Sequence, residues 1–170
     1  EKILHPEAKP NAAHRALARL EECGKLSAII TQNIDGLHQA AGSHNVLELH
    51  GSVLSNTCME CGRRYTLEQI LETSGIPRCS ACGGVIKPDV VLYEESLSES
   101  VLREACAELA AADTLIVGGT SLTVYPAAGL IHYFAGSNLI LINKQPTPAD
   151  ELATLVLHDS IGTVLAEAVG

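Results

Sequence analysis

The sequence predicts an α/β protein: a doubly wound, parallel sheet that carries a small inserted metal-binding module. Two patterns predict it. Short apolar runs alternate with amphipathic helical stretches along most of the chain, which is how βαβ units read in sequence. Between residues 52 and 92 the alternation stops, and two Cys-x-x-C pairs and the turn-formers Gly62, Gly75, Pro77, Gly83 and Gly84 take its place. Such a stretch buries little core by itself and reads as an insert in a larger domain. A length of 170 residues suits one domain plus such an insert.

The elements follow in order. Asn11 is placed to cap a helix over Ala12 to Cys23, which Gly24 stops. Leu26 to Gln32 is an apolar run with polar flanks, the form of a buried parallel strand. Asn33 to Gly42 reads as a loop with a brief helical turn, and Val46 to His50 as another short strand. Inside the insert, Thr66 and Gln69 have capping-box spacing for a small helix. Ser98 to Ala112 sets Val101, Leu102, Ala105, Cys106 and Leu109 on one helical face. Strands are expected at Thr114 to Val117, Asn138 to Ile142 and Ala153 to His158, and helices at Pro126 to Ala135 and Ile161 to Val169.

Charge narrows the partners. The chain holds 11 Lys+Arg and 20 Asp+Glu, a net charge of −9. Nothing in that balance would displace counterions from a nucleic-acid backbone, whereas a lysine-bearing protein tail is favoured in encounter. No apolar run approaches the roughly 20 residues of a membrane helix, and Glu1 to Pro6 holds no apolar leader core. Four of the six cysteines fall in two tight pairs, while Cys23 and Cys106 lie in helical stretches and read as small core residues. This usage indicates a reducing, cytoplasmic compartment.

Cys58, Cys61, Cys79 and Cys82 form two knuckles separated by residues 62–78. Four thiolates at this spacing suit a closed, structural zinc site; the alternatives are a redox dithiol or two disulfides. Further candidates lie at strand ends. Gln32, Asn33 and Asp35 follow the first strand, where doubly wound sheets bind ligands. Two amides and a carboxylate can fix sugar hydroxyls and a carboxamide, or can simply cap a turn. His50 ends the next strand and suits a general base or a hydrogen-bonded structural role. Gly118-Gly119-Thr120-Ser121 is a glycine turn after a strand, able to cradle a phosphate or ribose, although it is no G-x-G-x-x-G fingerprint. Asn143 ends a later strand as a ribose contact or a turn residue.

Together these pieces resemble the sirtuins, the NAD-dependent protein-lysine deacylases. The resemblance runs through Lys9-Pro10-Asn11-Ala12-Ala13-His14, Thr31 to His38, Leu49-His50-Gly51, the paired cysteines, Pro88-Asp89-Val90-Val91, Gly119-Thr120-Ser121-Leu122 and Leu141-Ile142-Asn143. It implies a Rossmann-like NAD-binding domain built from residues 1–51 and 93–170, with a zinc-ribbon domain at 52–92. It also implies roles. Gln32, Asn33, Ile34 and Asp35 would line the nicotinamide ribose, with Asn33 and Asp35 holding the reactive cofactor conformation, and His50 would be the catalytic base. Gly119, Thr120, Ser121, Asn143 and Ile161 would meet the adenosine half of NAD. Val91, Leu92, Tyr93 and Glu94 would pair with an acyl-lysine peptide by strand addition. The implied reaction expels nicotinamide and passes the acyl group to ADP-ribose. A non-catalytic peptide-binding fragment and mono-ADP-ribosyl transfer are the alternatives.

Two departures accompany the resemblance. Sirtuins open with a strand and a Gly-Ala-Gly loop followed by Pro-Asp-Phe-Arg, and neither occurs in this chain. Two parts of the sheet are therefore expected to face a gap with unpaired edges. Tyr93-Glu94 also stands where the family commonly has Phe-Gly.

Overall fold

A computed structural model describes His5 and residues 7–170; Glu1 to Leu4 and Pro6, which belong to the stretch searched for a leader, lie outside the described residues. The first helix, α1 (Ala12–Glu22), starts at the expected cap. The Asn11 side chain accepts from the His14 backbone N–H, and the His14 side chain completes a reciprocal box at the Asn11 N–H. Here a histidine does what Glu or Gln usually does three residues into a helix. After α1 come β1 (Ile29–Thr31), a short helix α2 (Leu37–Ala40) and β2 (Val46–Glu48), which pairs parallel with β1. The first strand is shorter than the apolar run Leu26 to Gln32, because the pairing with β2 covers only three positions.

The insert is antiparallel. Its sheet has the order β4-β3-β5, formed by β3 (Gly51–Cys58), β4 (Arg64–Thr66) and β5 (Ile86–Val90). The small helix α3 (Leu67–Leu71) starts at the capping box of Thr66 and Gln69. The chain then forms α4 (Glu99–Ala111), β6 (Thr114–Gly118), a 3-10 segment over Ala127–Tyr133, β7 (Asn138–Ile142), β8 (Leu155–Leu157) and α5 (Ile161–Val169). The stretch from Pro126 to Ala135 is therefore a 3-10 helix, shorter than expected. β6, β7 and β8 are parallel neighbours in that order.

Helices cover both faces of the β6–β7–β8 sheet. Ile116, Ile140 and Ile142 pack with Ala13 and Ala16 of α1 and Leu165 of α5. Leu139 and Leu141 face the other way with Val117, Ile131 and Phe134, while Leu115 joins them to a second core. That core holds Leu47 and Leu49 beside Ala105 and Leu109 of α4, Ala127 and Leu130. Alternation along β6 and β7 with helices on both sides is the doubly wound arrangement. Among the described residues the parallel strands form two separate sheets, β1-β2 and β6-β7-β8, with no pairing between them. Cys23 is exposed, because it caps the end of α1 instead of lying on its buried face; Cys106 is half-buried against the second core.

Removing the Asn11 side chain unties the start of α1. Asn11→Ala is expected to lower unfolding free energy by about 1 kcal/mol, measured by urea denaturation.

Candidate active site and metal centre

The strand ends of β1 and β2 bring the predicted base to the predicted loop. The Leu49 N–H donates to the Thr31 carbonyl at 2.9 Å, which extends the β1–β2 ladder by one step. The half-buried His50 ring then reaches the loop, and its Nδ1 lies 2.9 Å from the Gln32 carbonyl oxygen. A carbonyl only accepts, so Nδ1–H is the donor and Nε2 of the neutral ring keeps its lone pair. The loop is shaped locally. Thr31 Oγ1 accepts from the Asn33 N–H at 3.1 Å, and Asp35 Oδ1 accepts from the Leu37 N–H at 3.0 Å to start α2. Asn33 and Asp35 are exposed. One Asp35 oxygen thus serves the turn-capping role that the sequence also allowed.

The insert holds this loop from the other side. The register between β3 and β5 shifts between Ser52 and Asn56, leaving a bulge. Within it the Val53 N–H donates to the Ile34 carbonyl at 3.0 Å, and the Leu54 side chain lies against Gly36. Bulges commonly re-aim backbone groups beside functional sites in this way. Gly51 joins His50 to β3 at φ +74, and a Cβ there would sit 2.0 Å from the Asp89 carbonyl oxygen. Only glycine fits that close approach of two backbones.

The second predicted cluster gathers at the carboxyl ends of β6, β7 and β8. The Gly119 N–H donates to the Ile142 carbonyl at 3.2 Å, and the Asn143 N–H to the Leu157 carbonyl at 3.1 Å. A Cβ on Gly118 would meet Ile161 Cδ1 at 2.2 Å, so the start of α5 closes over the same edge. Gly119 has φ +65 and nothing within 4 Å of where a Cβ would be, which leaves open space in front of its backbone. Two hydroxyls face local partners: Thr120 Oγ1 accepts from the Leu122 N–H at 3.2 Å, and Ser121 Oγ lies 2.7 Å from Thr123 Oγ1. Asn143 Nδ2 donates to the Gln145 carbonyl at 2.8 Å, as a strand-end turn residue does. No hydrogen bond among the described residues links this cluster to the loop at 32–35. Val91 to Glu94 do not form a strand; a turn occupies Tyr93 and Glu94, so any added strand is confined to Val91 and Leu92.

The four cysteines of the insert meet, with all four Sγ atoms within 4.8 Å of one another. Cys58 and Cys82 are 3.5 Å apart, and Cys61 and Cys79 are 3.6 Å apart. Four Zn–S bonds of about 2.3 Å set tetrahedral edges of about 3.8 Å, whereas a disulfide needs about 2.05 Å. The thiols are free, and the cage fits zinc. Their acidities diverge. The Tyr65 hydroxyl, 3.1 Å from Cys79 Sγ, holds that thiol low at about 6. The Gly84 backbone favours the Cys82 thiolate, but the sulfurs of Cys61 and Cys58 outweigh it and push Cys82 up to about 12. Four thiols this close do not all ionise without a cation at their centre.

Sequence reasoning assigned no role to a histidine pair under the loop. The rings of His14 and His38 lie 4.6 Å apart, and His38 Nδ1 is buried without a hydrogen-bond partner. Burial lowers the pKa of both; Asp35 opposes the shift, while Arg15 adds to it at His14 and His14 adds to it at His38. The reciprocal cap at Asn11 was the only local signal for His14, and His38 had none.

Two outcomes follow from this geometry. Burial disfavours the charged form of both histidines in the fold, so their contribution to stability is complete above the ordinary value of 6.5 and is lost as pH falls through it toward the lowered folded values. Melting temperature is expected to fall as pH drops below 6.5, and a His14→Gln/His38→Gln double variant to flatten that fall. A strong chelator is expected to release one zinc per chain and abolish the β3–β4–β5 amide signals by NMR. Cys61→Ser is expected to reduce zinc content measured by elemental analysis.

Comparison with known proteins completes the picture. The model of the Sir2 family matches residues 1–126. The NAD-dependent protein deacetylase of Clostridium perfringens is 62% identical over 169 residues, which cover 99% of this chain and 69% of that protein. That of Clostridium acetobutylicum is 59% identical over 170 residues, with the same coverage. A solved structure of Sir2 with a p53 peptide and NAD+ superimposes with a TM-score of 0.89 at 44% identity, covering 95% of this chain and 70% of that one. A structure of Sir2 bound to an acetylated peptide gives the same TM-score, identity and coverage. The family match over residues 1–126, this degree of identity and the superposition leave one conclusion: the chain belongs to the Sir2 family.

Proposed function

We propose that this chain catalyses NAD-dependent deacylation of protein lysines, in which nicotinamide is released and the acyl group passes to ADP-ribose. The single observation that carries the proposal is the His50–Gln32 contact, which holds an imidazole in a fixed orientation beside the amide–carboxylate loop. Relatives named as NAD-dependent protein deacetylases, at up to 62% identity, support it, as do sirtuin structures holding NAD and acylated peptides.

NAD, when bound, supplies a nicotinamide leaving group and the sugar that receives the acyl group. In this reading Gln32, Asn33, Ile34 and Asp35 hold its nicotinamide ribose. The open face of Gly119, with Thr120, Ser121, Asn143 and Ile161, takes the adenosine half. His50 Nε2 takes a proton from a sugar hydroxyl, while the Nδ1–H···O=C bond orients the ring and stabilises the imidazolium that forms. Val91, Leu92, Tyr93 and Glu94 lie along an acyl-lysine peptide, and the Val91 carbonyl is the backbone group of Val91 and Leu92 left to pair with it. Cys58, Cys61, Cys79 and Cys82 hold zinc as a frame, since four thiolates leave no open coordination position. Residues 52–92 form the zinc-binding domain, and 1–51 with 93–170 the NAD-binding one. Free thiols and the absence, among the described residues, of a helix able to cross a membrane support a cytoplasmic protein.

The purified protein is expected to release nicotinamide from NAD only when an acetyl-lysine peptide is present. His50→Ala is expected to lower turnover by a factor on the order of 10² with zinc content and melting temperature retained. Wild-type turnover in that variant would remove His50 from the mechanism, and mass spectrometry showing ADP-ribose attached to the peptide would replace deacylation with transfer.

A further inference from the structure

The chain leaves β5 and folds back at once beside His50. The Val91 N–H donates to the His50 carbonyl at 2.9 Å. Leu92 to Glu95 then make a turn closed by the Glu95 N–H and the Leu92 carbonyl at 3.1 Å. The Glu95 carboxylate fastens it: Oε2 accepts from the Leu92 N–H at 2.9 Å and pairs with Lys87 Nζ at 3.0 Å. Lys87 also donates to the Val90 carbonyl at 3.1 Å, tying the turn to the last strand of the insert.

Two consecutive glutamates are thus treated differently. Glu95 is pinned and neutralised, whereas no ion pair among the described residues involves Glu94. Glu94 is exposed at the third position of the turn with φ +71, and Tyr93 before it has no positive φ. This is the type II pattern, whose third position suits glycine. Any side chain there is strained, and a strained residue beside a reaction centre points toward function. Tyr93 is fully exposed, at 102%. An aromatic ring and a free carboxylate side by side at a turn apex form a receptive surface for a cation.

We propose that Glu94, flanked by Tyr93, selects acyl-lysine peptides that carry Lys or Arg next to the modified lysine. This specificity rests on the deacylase reading for its substrate class and on the turn geometry for its sign. The fastening by Lys87 and Glu95 fixes the turn backbone from which Glu94 projects; an unfastened turn would spread the charge over more positions.

The test uses acetyl-lysine peptides identical except for Lys, Ala or Glu on both sides of the acetyl-lysine. Fluorescence anisotropy of labelled peptides reads binding, and nicotinamide release reads turnover, in wild type, Glu94→Gln and Glu94→Lys. At low ionic strength the wild type is expected to prefer Lys-flanked over Glu-flanked peptide by about fivefold, the upper range for one exposed charge pair. The ratio is expected to fall toward one in Glu94→Gln, to invert in Glu94→Lys, and to shrink in high salt. Equal affinities in the wild type, a preference that persists in Glu94→Gln, or no binding of any peptide overturns the assignment. A flank preference in binding without nicotinamide release sinks the deacylase reading and leaves the selectivity standing. Nicotinamide release with no flank preference does the reverse.

Discussion

The hydrogen bond from His50 Nδ1–H to the Gln32 carbonyl is the constraint around which the rest of the site is organised. Its acceptor is backbone, so it does not depend on the identity of the side chain at position 32. It fixes three things together: the tautomer, the ring orientation and the distance from loop to strand end. The backbone of the loop is secured on both flanks, by Leu49 to Thr31 and by Val53 to Ile34. A general base acts only from within reach of its proton, and placement is what this network supplies.

The metal centre serves the same end at a distance. Its thiols sit at separations suited to zinc; the Tyr65 hydroxyl holds Cys79 low, while the neighbouring sulfurs push Cys82 up, a crowding that a cation would relieve. A site of that kind contributes folding energy where the local core is thin. The core of the insert is small, with Cys58, Cys79 and Ile86 buried and Tyr65 and Ile70 packed against them. The metal therefore substitutes for apolar burial, and the strands it organises are those that carry the β3 bulge and the turn after β5.

Much of this was legible in sequence because it is local. Capping at Asn11 and Thr66, the β7 run Asn138–Ile142 and α5 are set by neighbours a few residues apart. The cysteine cage was legible because knuckle spacing encodes tetrahedral geometry. The approach of His50 to Gln32 followed from strand ends sharing one edge of a sheet. What escaped was tertiary. The β3 bulge, the Lys87–Glu95 clamp and the tilted His14–His38 ring contact each join segments whose sequence gives no periodic signal for the meeting. The 3-10 geometry at Ala127–Tyr133 and the short β1 and β8 were misjudged in extent, because pairing partners decide where a strand stops.

β3 begins at Gly51 and β5 ends at Val90, and these two residues face each other in the β3–β5 ladder. One further hydrogen bond, from the Val91 N–H to the His50 carbonyl, closes the pair on the side of the larger domain. Mechanically this is a two-strand flexure. A ribbon of that width bends readily out of its own plane and resists shear within it. The two chain crossings lie within one peptide unit of the imidazole, so any bend of that ribbon is felt first in the backbone that carries the base.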